Sequence, residues 1–114
     1  MHETSVAQHM ISAILDESRQ RHARPVRVKV SCGQLNALND AVFGFAFEAM
    51  ARGTACEGVE IAIEHKPFRG RCRHCETVFT VDFDEPVCPS CGGTVYDLLP
   101  DAPLLLEEIE FREE

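Results

Sequence analysis

From Thr4 to about His22 the apolar residues Val6, Ala7, Met10, Ile11, Ile14 and Leu15 recur three and four apart, which predicts an amphipathic helix with one core-facing stripe. Its start has two candidate caps, Thr4 or a Ser5–Gln8 capping box, and Pro25 closes the segment. Val26-Arg27-Val28-Lys29-Val30-Ser31-Cys32 then alternates strictly, predicting a strand with Val26, Val28, Val30 and Cys32 inward and Gly33 at its end. A second helix is expected from Asn39 or Asp40, both good caps, to about Arg52, with Gly53 ending it. Phe43, Phe47 and Met50 form its stripe, joined by Val42, Ala46 and Ala49. Together Phe43, Phe45 and Phe47 make this helix the largest apolar contributor to the core. Val59–Glu64 alternates again, and Pro67 marks a boundary. In the last stretch, Leu104 and Leu106 share one parity and Ile109 and Phe111 the other. A strand there needs a bulge near Glu107–Glu108 to bring both pairs to the core.

Residues 68–97 break the pattern. They hold four cysteines, the pair Gly92-Gly93 and little apolar mass, so hydrophobic burial alone cannot fold them and a metal staple is required. The expected architecture is α+β: a three-stranded sheet with two helices, built from residues 1–67 and 98–114, with a small zinc-ribbon-like module inserted at 68–97.

Length and charge narrow the possibilities. A chain of 114 residues is one domain with room for a small satellite. Its formal net charge of −8 is poorly suited to neutralising phosphates, so no nucleic-acid partner is expected. The longest apolar runs, such as Ala41–Phe47, fall far short of the ~20 residues that span a bilayer. The Met-His-Glu-Thr-Ser start lacks the cationic head and apolar core of a secretory signal. The expectation is a cytoplasmic protein without a membrane partner.

In a reducing compartment, two Cys-x-x-Cys pairs read as a metal site rather than as disulfides. Cys72 and Cys75 are separated by 12 residues from Cys88 and Cys91, and each turn aims two thiolates at one point. Four soft thiolates with no open position select zinc, or iron in an electron-transfer site. The iron reading resembles rubredoxin through Cys88-Pro89-Ser90-Cys91-Gly92, but Glu76 replaces the glycine after the first pair and core aromatics are sparse. A closed four-cysteine site is structural. Ribbons of this kind often bind nucleic acid, yet here Arg69, Arg71 and Arg73 face five carboxylates within the segment. A zinc-ribbon adaptor and a rubredoxin-like redox protein therefore stand as alternatives. Of the remaining cysteines, Cys32 reads as a small buried hydrophobe and Cys56 as a loop residue without a partner. The remaining histidines read as bland, His65 because it merely precedes a turn. His74, inside a knuckle, keeps a weak candidacy near the metal. No nucleophile–base pair, phosphate loop or carboxylate pair argues for an enzyme.

Met1-His2-Glu3 admits two readings. One is a frayed terminus with an incidental histidine. The other is a chelate: the Met1 amine, the His2 amide nitrogen and the His2 ring can close a five- and a six-membered ring on one metal. Such a nitrogen-rich set suits Ni(II) or Cu(II), and Glu3 can add a ligand.

Taken with Gly33, Phe45-Ala46-Phe47-Glu48, Gly53-Thr54, Glu57-Gly58, Pro67, the two knuckles and the Leu-rich acidic end, this start resembles the HypA/HybF family of hydrogenase nickel-incorporation proteins. The resemblance runs nearly the whole length. It implies a nickel metallochaperone that binds Ni(II) at His2, with Met1 and Glu3, and structural zinc at Cys72, Cys75, Cys88 and Cys91. It also implies partners: a HypB-type GTPase, the [NiFe]-hydrogenase large-subunit precursor and, for some members, urease accessory proteins.

Overall fold

The computed structural model describes residues 2–113. Two helices, α1 (Glu3–Arg21) and α2 (Asp40–Ala51), join the strands β1 (Ala23–Cys32), β2 (Glu60–His65), β3 (Arg69–Cys72), β4 (Val78–Thr80), β5 (Tyr96–Leu98) and β6 (Leu105–Glu113). The strands form two three-stranded sheets, ordered β2-β1-β6 and β4-β3-β5. In the first, β1 runs parallel to β2 and antiparallel to β6. Parallel neighbours need a crossover, which α2 supplies.

One core lies between the helices and the first sheet. It gathers Ala7, Met10, Ile11 and Ile14 of α1, Val28, Val30 and Cys32 of β1, and Phe43, Ala46 and Phe47 of α2. A second, smaller core forms around Cys72, Phe79, Val81 and Cys88, with Phe68 and Tyr96 against it. The molecule measures 54 × 25 × 16 Å with a radius of gyration of 18.2 Å. A chain of this length packed round one centre has a radius near 13 Å, so the two cores are strung out rather than merged.

Several local expectations need correction. Neither Thr4 nor Ser5 caps α1. His2 is the N-cap residue, contributes no side-chain bond, and accepts the Val6 amide at 3.1 Å through its carbonyl. Glu3 instead places a carboxylate in the first turn, where the helix dipole favours it. Pro25 does not close α1. The helix ends at His22, whose left-handed backbone (φ 50°) turns the chain, and Pro25 lies inside β1 opposite Phe111. Proline in a strand is tolerated at an irregularity, and the register with β6 shifts between Pro25 and Arg27. Val26 occupies that shift and is half-buried, while Val28, Val30 and Cys32 face the core as predicted.

Asn39 caps α2, its Oδ1 accepting the Val42 amide at 3.0 Å. Phe43 and Phe47 are buried with ring centroids 6.0 Å apart. Phe45 is 76% exposed and contributes almost nothing to the core. It sits two residues from each neighbour, which on a helix turns it to the far side. Val42 and Ala49 are exposed too.

The predicted bulge is present in β6. Lys29 pairs with Glu108 and Val30 with Leu106, so Glu107 is the extra residue. Leu104, Leu106 and Ile109 all reach the main core. Phe111 is half-buried, with the Arg21 guanidinium 5.3 Å from its ring centroid. Glu107 accepts from Ser31 Oγ at 2.8 Å and Lys66 Nζ at 2.9 Å. Those bonds, Lys66 foremost, hold its carboxyl below the usual range.

Gly33 is needed for a close approach. A Cβ there would collide with the Asp101 carboxylate. The Asp101 carboxylate accepts the amides of Gln34 and Leu35 at 2.9 and 2.7 Å, tying the chain that leaves β5 to the exit of β1. Gln34 Nε2 in turn donates to the Lys66 carbonyl at 3.0 Å, so the chain entering β3 is held by the same loop.

Candidate metal centres

The four paired cysteines converge at the end of the second sheet. Cys72 closes β3, Cys75 follows in the turn, and Cys88 and Cys91 lie in the loop between β4 and β5. Two matching turns bring them there. The Glu76 amide donates to the Cys72 carbonyl at 3.0 Å, and the Gly92 amide to the Cys88 carbonyl at 2.8 Å. The Cys72 amide donates to Thr77 O at 3.0 Å, and the Cys88 amide to Gly93 O at 2.9 Å. Both turns need a left-handed residue after the second cysteine. Gly92 (φ 74°) suits that position, whereas Glu76 (φ 63°) bears the strain of a side chain there.

All four sulfurs lie within 4.8 Å of one another, with Cys72 Sγ–Cys91 Sγ at 3.6 Å and Cys75 Sγ–Cys88 Sγ at 3.5 Å. Thiolates about 2.3 Å from one tetrahedral ion stand about 3.8 Å apart, so the spacing fits a single four-sulfur site and not a disulfide. Backbone amides support the charge: His74 and Cys75 donate to Cys72 Sγ at 3.4 and 3.5 Å, and Gly93 to Cys91 Sγ at 3.4 Å. The sulfurs titrate as a set. Hydrogen bonding with the Thr77 side chain, 3.2 Å away, and then with its backbone brings Cys75 down to about 6. At Cys91 the Gly93 amide pulls downward, but Cys72, burial, Cys75 and Cys88 together outweigh it and push the thiol up to about 12. The surroundings are more aromatic than the sequence reading credits, with edge-to-face pairs Phe68–Phe83 (5.8 Å) and Phe79–Tyr96 (5.3 Å). The second sheet also runs one residue beyond the expected limit at 97, since β5 ends at Leu98.

The N-terminal candidates lie elsewhere. His2 is exposed at the start of α1, its side chain unused as a cap. Glu3 Oε1 accepts the Asn39 amide at 3.4 Å, bringing the start of α1 to the start of α2. Met1 lies outside the described residues. Beside this junction stand three residues that the sequence marks only as a cap candidate, a bland histidine and a small buried hydrophobe. Asp40 begins α2 and meets His65 at the end of β2, Oδ1 to Nε2 at 2.6 Å; the other ring nitrogen of His65 lies 3.4 Å from Cys32 Sγ. Only the parallel pairing of β1 with β2, which places Cys32 opposite His65, brings these together, and no sequence spacing signals it. Cys56 is buried, and that burial, partly offset by Thr54, raises its thiol.

An α+β body joined to a knuckle pair whose four sulfurs converge on one point defines a metal-binding class of protein. The family described as "Hydrogenase/urease nickel incorporation, metallochaperone, hypA" matches residues 1–111. The chain belongs to the HypA family. It is 38% identical over 114 residues to hydrogenase maturation factor HypA of Desulfitobacterium hafniense, covering 99% of this chain and 100% of that one. The corresponding protein of Geotalea daltonii is 34% identical over 99 residues, covering 87% and 88%. Among solved structures, the nickel metallochaperone HypA from Helicobacter pylori superposes with a TM-score of 0.63 at 25% identity, over 100% of both chains. Among the described residues, no helix is long and apolar enough to cross a membrane.

Proposed function

We propose that this chain is a nickel carrier that holds Ni(II) at its N-terminus and delivers it during maturation of [NiFe]-hydrogenase, acting in the cytoplasm as a binding protein rather than an enzyme. The family to which it belongs supports the carrier role. The observation that carries the site is His2: exposed, free of capping duty and adjacent to Glu3. In this reading the Met1 amine, the His2 amide nitrogen and imidazole, and Glu3 supply the donors, a set that suits Ni(II). One terminal chelate, open on a flank, favours transfer over storage.

Zinc at Cys72, Cys75, Cys88 and Cys91 fits the sulfur spacing and supplies structural stability, since no position remains for substrate. A HypB-type GTPase and the hydrogenase large-subunit precursor are the partners this reading implies, and the family description extends it to urease.

The test is metal analysis of the purified chain with nickel titration. One firmly held zinc and one exchangeable nickel are expected. Nickel binding should vanish in His2→Ala and weaken when residues precede Met1, because the amine becomes an amide. Full nickel affinity in both variants would overturn the N-terminal site.

A further inference from the structure

We propose that His65 is a positioning residue for the N-terminal nickel site, acting through Asp40 and the first turn of α2. This rests on the nickel reading above. His65 is the middle of a three-residue chain that crosses three elements. Its Nε2 meets Asp40 Oδ1 at 2.6 Å, and its Nδ1 meets Cys32 Sγ at 3.4 Å. An ionised carboxylate only accepts, so Nε2 carries the hydrogen toward Asp40. In the neutral ring Nδ1 is then an acceptor, and the Cys32 thiol donates to it. Cys32 is fully buried in the main core, so the ring is anchored to that core at the end of β1.

The outer end of the chain is the start of α2. Asp40 follows Asn39, whose amide bonds the Glu3 carboxylate. Without His65 the Asp40 side chain, 59% exposed, is free to turn to the unpaired amides of its own helix start. There it competes with Glu3 for the same positive end. Paired with His65, it is diverted, and the Asn39 amide stays with Glu3. The Cys32–His65–Asp40 chain thus fixes where α2 begins relative to α1, and with it the place of Glu3 beside His2. Cys32 is accordingly more than a small hydrophobe, and His65 more than a residue before a turn.

Supporting partners of metal ligands commonly change metal affinity by 10–100-fold when removed. As His65 acts at one remove, His65→Ala in the full zinc-loaded chain should weaken nickel binding about tenfold, the lower end of that range. His65→Gln keeps an N–H for Asp40 and should recover most of the affinity. Calorimetric nickel titration reads both, with zinc content and thermal melting followed in parallel. Amide hydrogen exchange should quicken in the first turn of α2 in His65→Ala and return to the parent rate in His65→Gln. Nickel affinity and first-turn exchange both unchanged in His65→Ala would overturn the proposal. So would a loss of affinity that His65→Gln shares in full, since that marks a loss of packing. If His2→Ala also leaves binding intact, it is the nickel site that fails. If His2→Ala abolishes binding and His65→Ala does not weaken it, only the positioning role fails.

Discussion

Truncating Phe43 and Phe45 to alanine, one at a time, should separate two positions that look alike in the chain. Phe43 is fully buried against Phe47, whereas Phe45 is 76% exposed. A phenylalanine side chain presents about 200 Å², and at ~25 cal/mol per Å² complete burial stabilises by about 5 kcal/mol. This agrees with the 3–5 kcal/mol commonly lost when a core phenylalanine becomes alanine. Phe45 keeps only about a quarter of that area from water, worth about 1 kcal/mol, and alanine regains about half of it through better helix propensity. Phe43→Ala should therefore lower the melting temperature by roughly 12–20 °C and Phe45→Ala by about 2 °C, taking ~4 °C per kcal/mol at this size. Far-ultraviolet circular dichroism of the metal-loaded chain during heating measures both. Equal losses at the two positions would refute the assignment of Phe45 to the outer side of α2.

Cys88→Ser should release the metal and unfold the β3–β5 sheet while α1, α2 and the first sheet stay folded, because binding energy in such modules is folding energy on the order of 10 kcal/mol. Hydrogen exchange resolves the two regions, and global unfolding would contradict the independence of the two cores. Glu76→Gly should raise the stability of the metal-bound module by up to about 1 kcal/mol, as relief of the left-handed strain exceeds the entropy glycine adds to the unfolded chain; resistance to chelator reads it. Glu107 has a depressed carboxyl, so its contribution is fully present above its unfolded pKa and lost as pH falls through the lower folded value. Below about pH 4.5, Glu107→Gln should accordingly show a shallower decline in melting temperature than the parent chain. Nickel should be lost on acidification, because protons compete for its nitrogen donors, while zinc stays bound; calorimetry at several pH values follows both.

Legibility followed the range of the interactions. The α1 stripe, the alternation of Val28, Val30 and Cys32, the Asn39 cap and the four-cysteine site rest on contacts between near neighbours or on a fixed ligand spacing. They could be read directly. The bulge at Glu107 was legible for a different reason: two parities in one strand cannot both face inward without it. What escaped depended on partners far along the chain. Pro25 looked like a terminator because its place in β1 beside a register shift is set by β6, nearly ninety residues later. Phe45 looked like core because three phenylalanines in a row of five overstate a helix stripe. The Cys32–His65–Asp40 chain was invisible, since it exists only once β1 and β2 lie side by side.

The extra residue in β6 has a consequence for life among many copies of the same chain. β6 lies at the border of its sheet, so its outer backbone groups are available to a strand from another molecule. A flat, regular, apolar border would invite stacking into polymers. Here the ladder is broken at Glu107, and Glu108, Glu110 and Glu113 add like charges that an approaching twin would have to meet. The irregularity that brings Leu106 and Ile109 to one side also makes the strand a poor template. Charge and irregularity together thus oppose the pairing of two copies along this border.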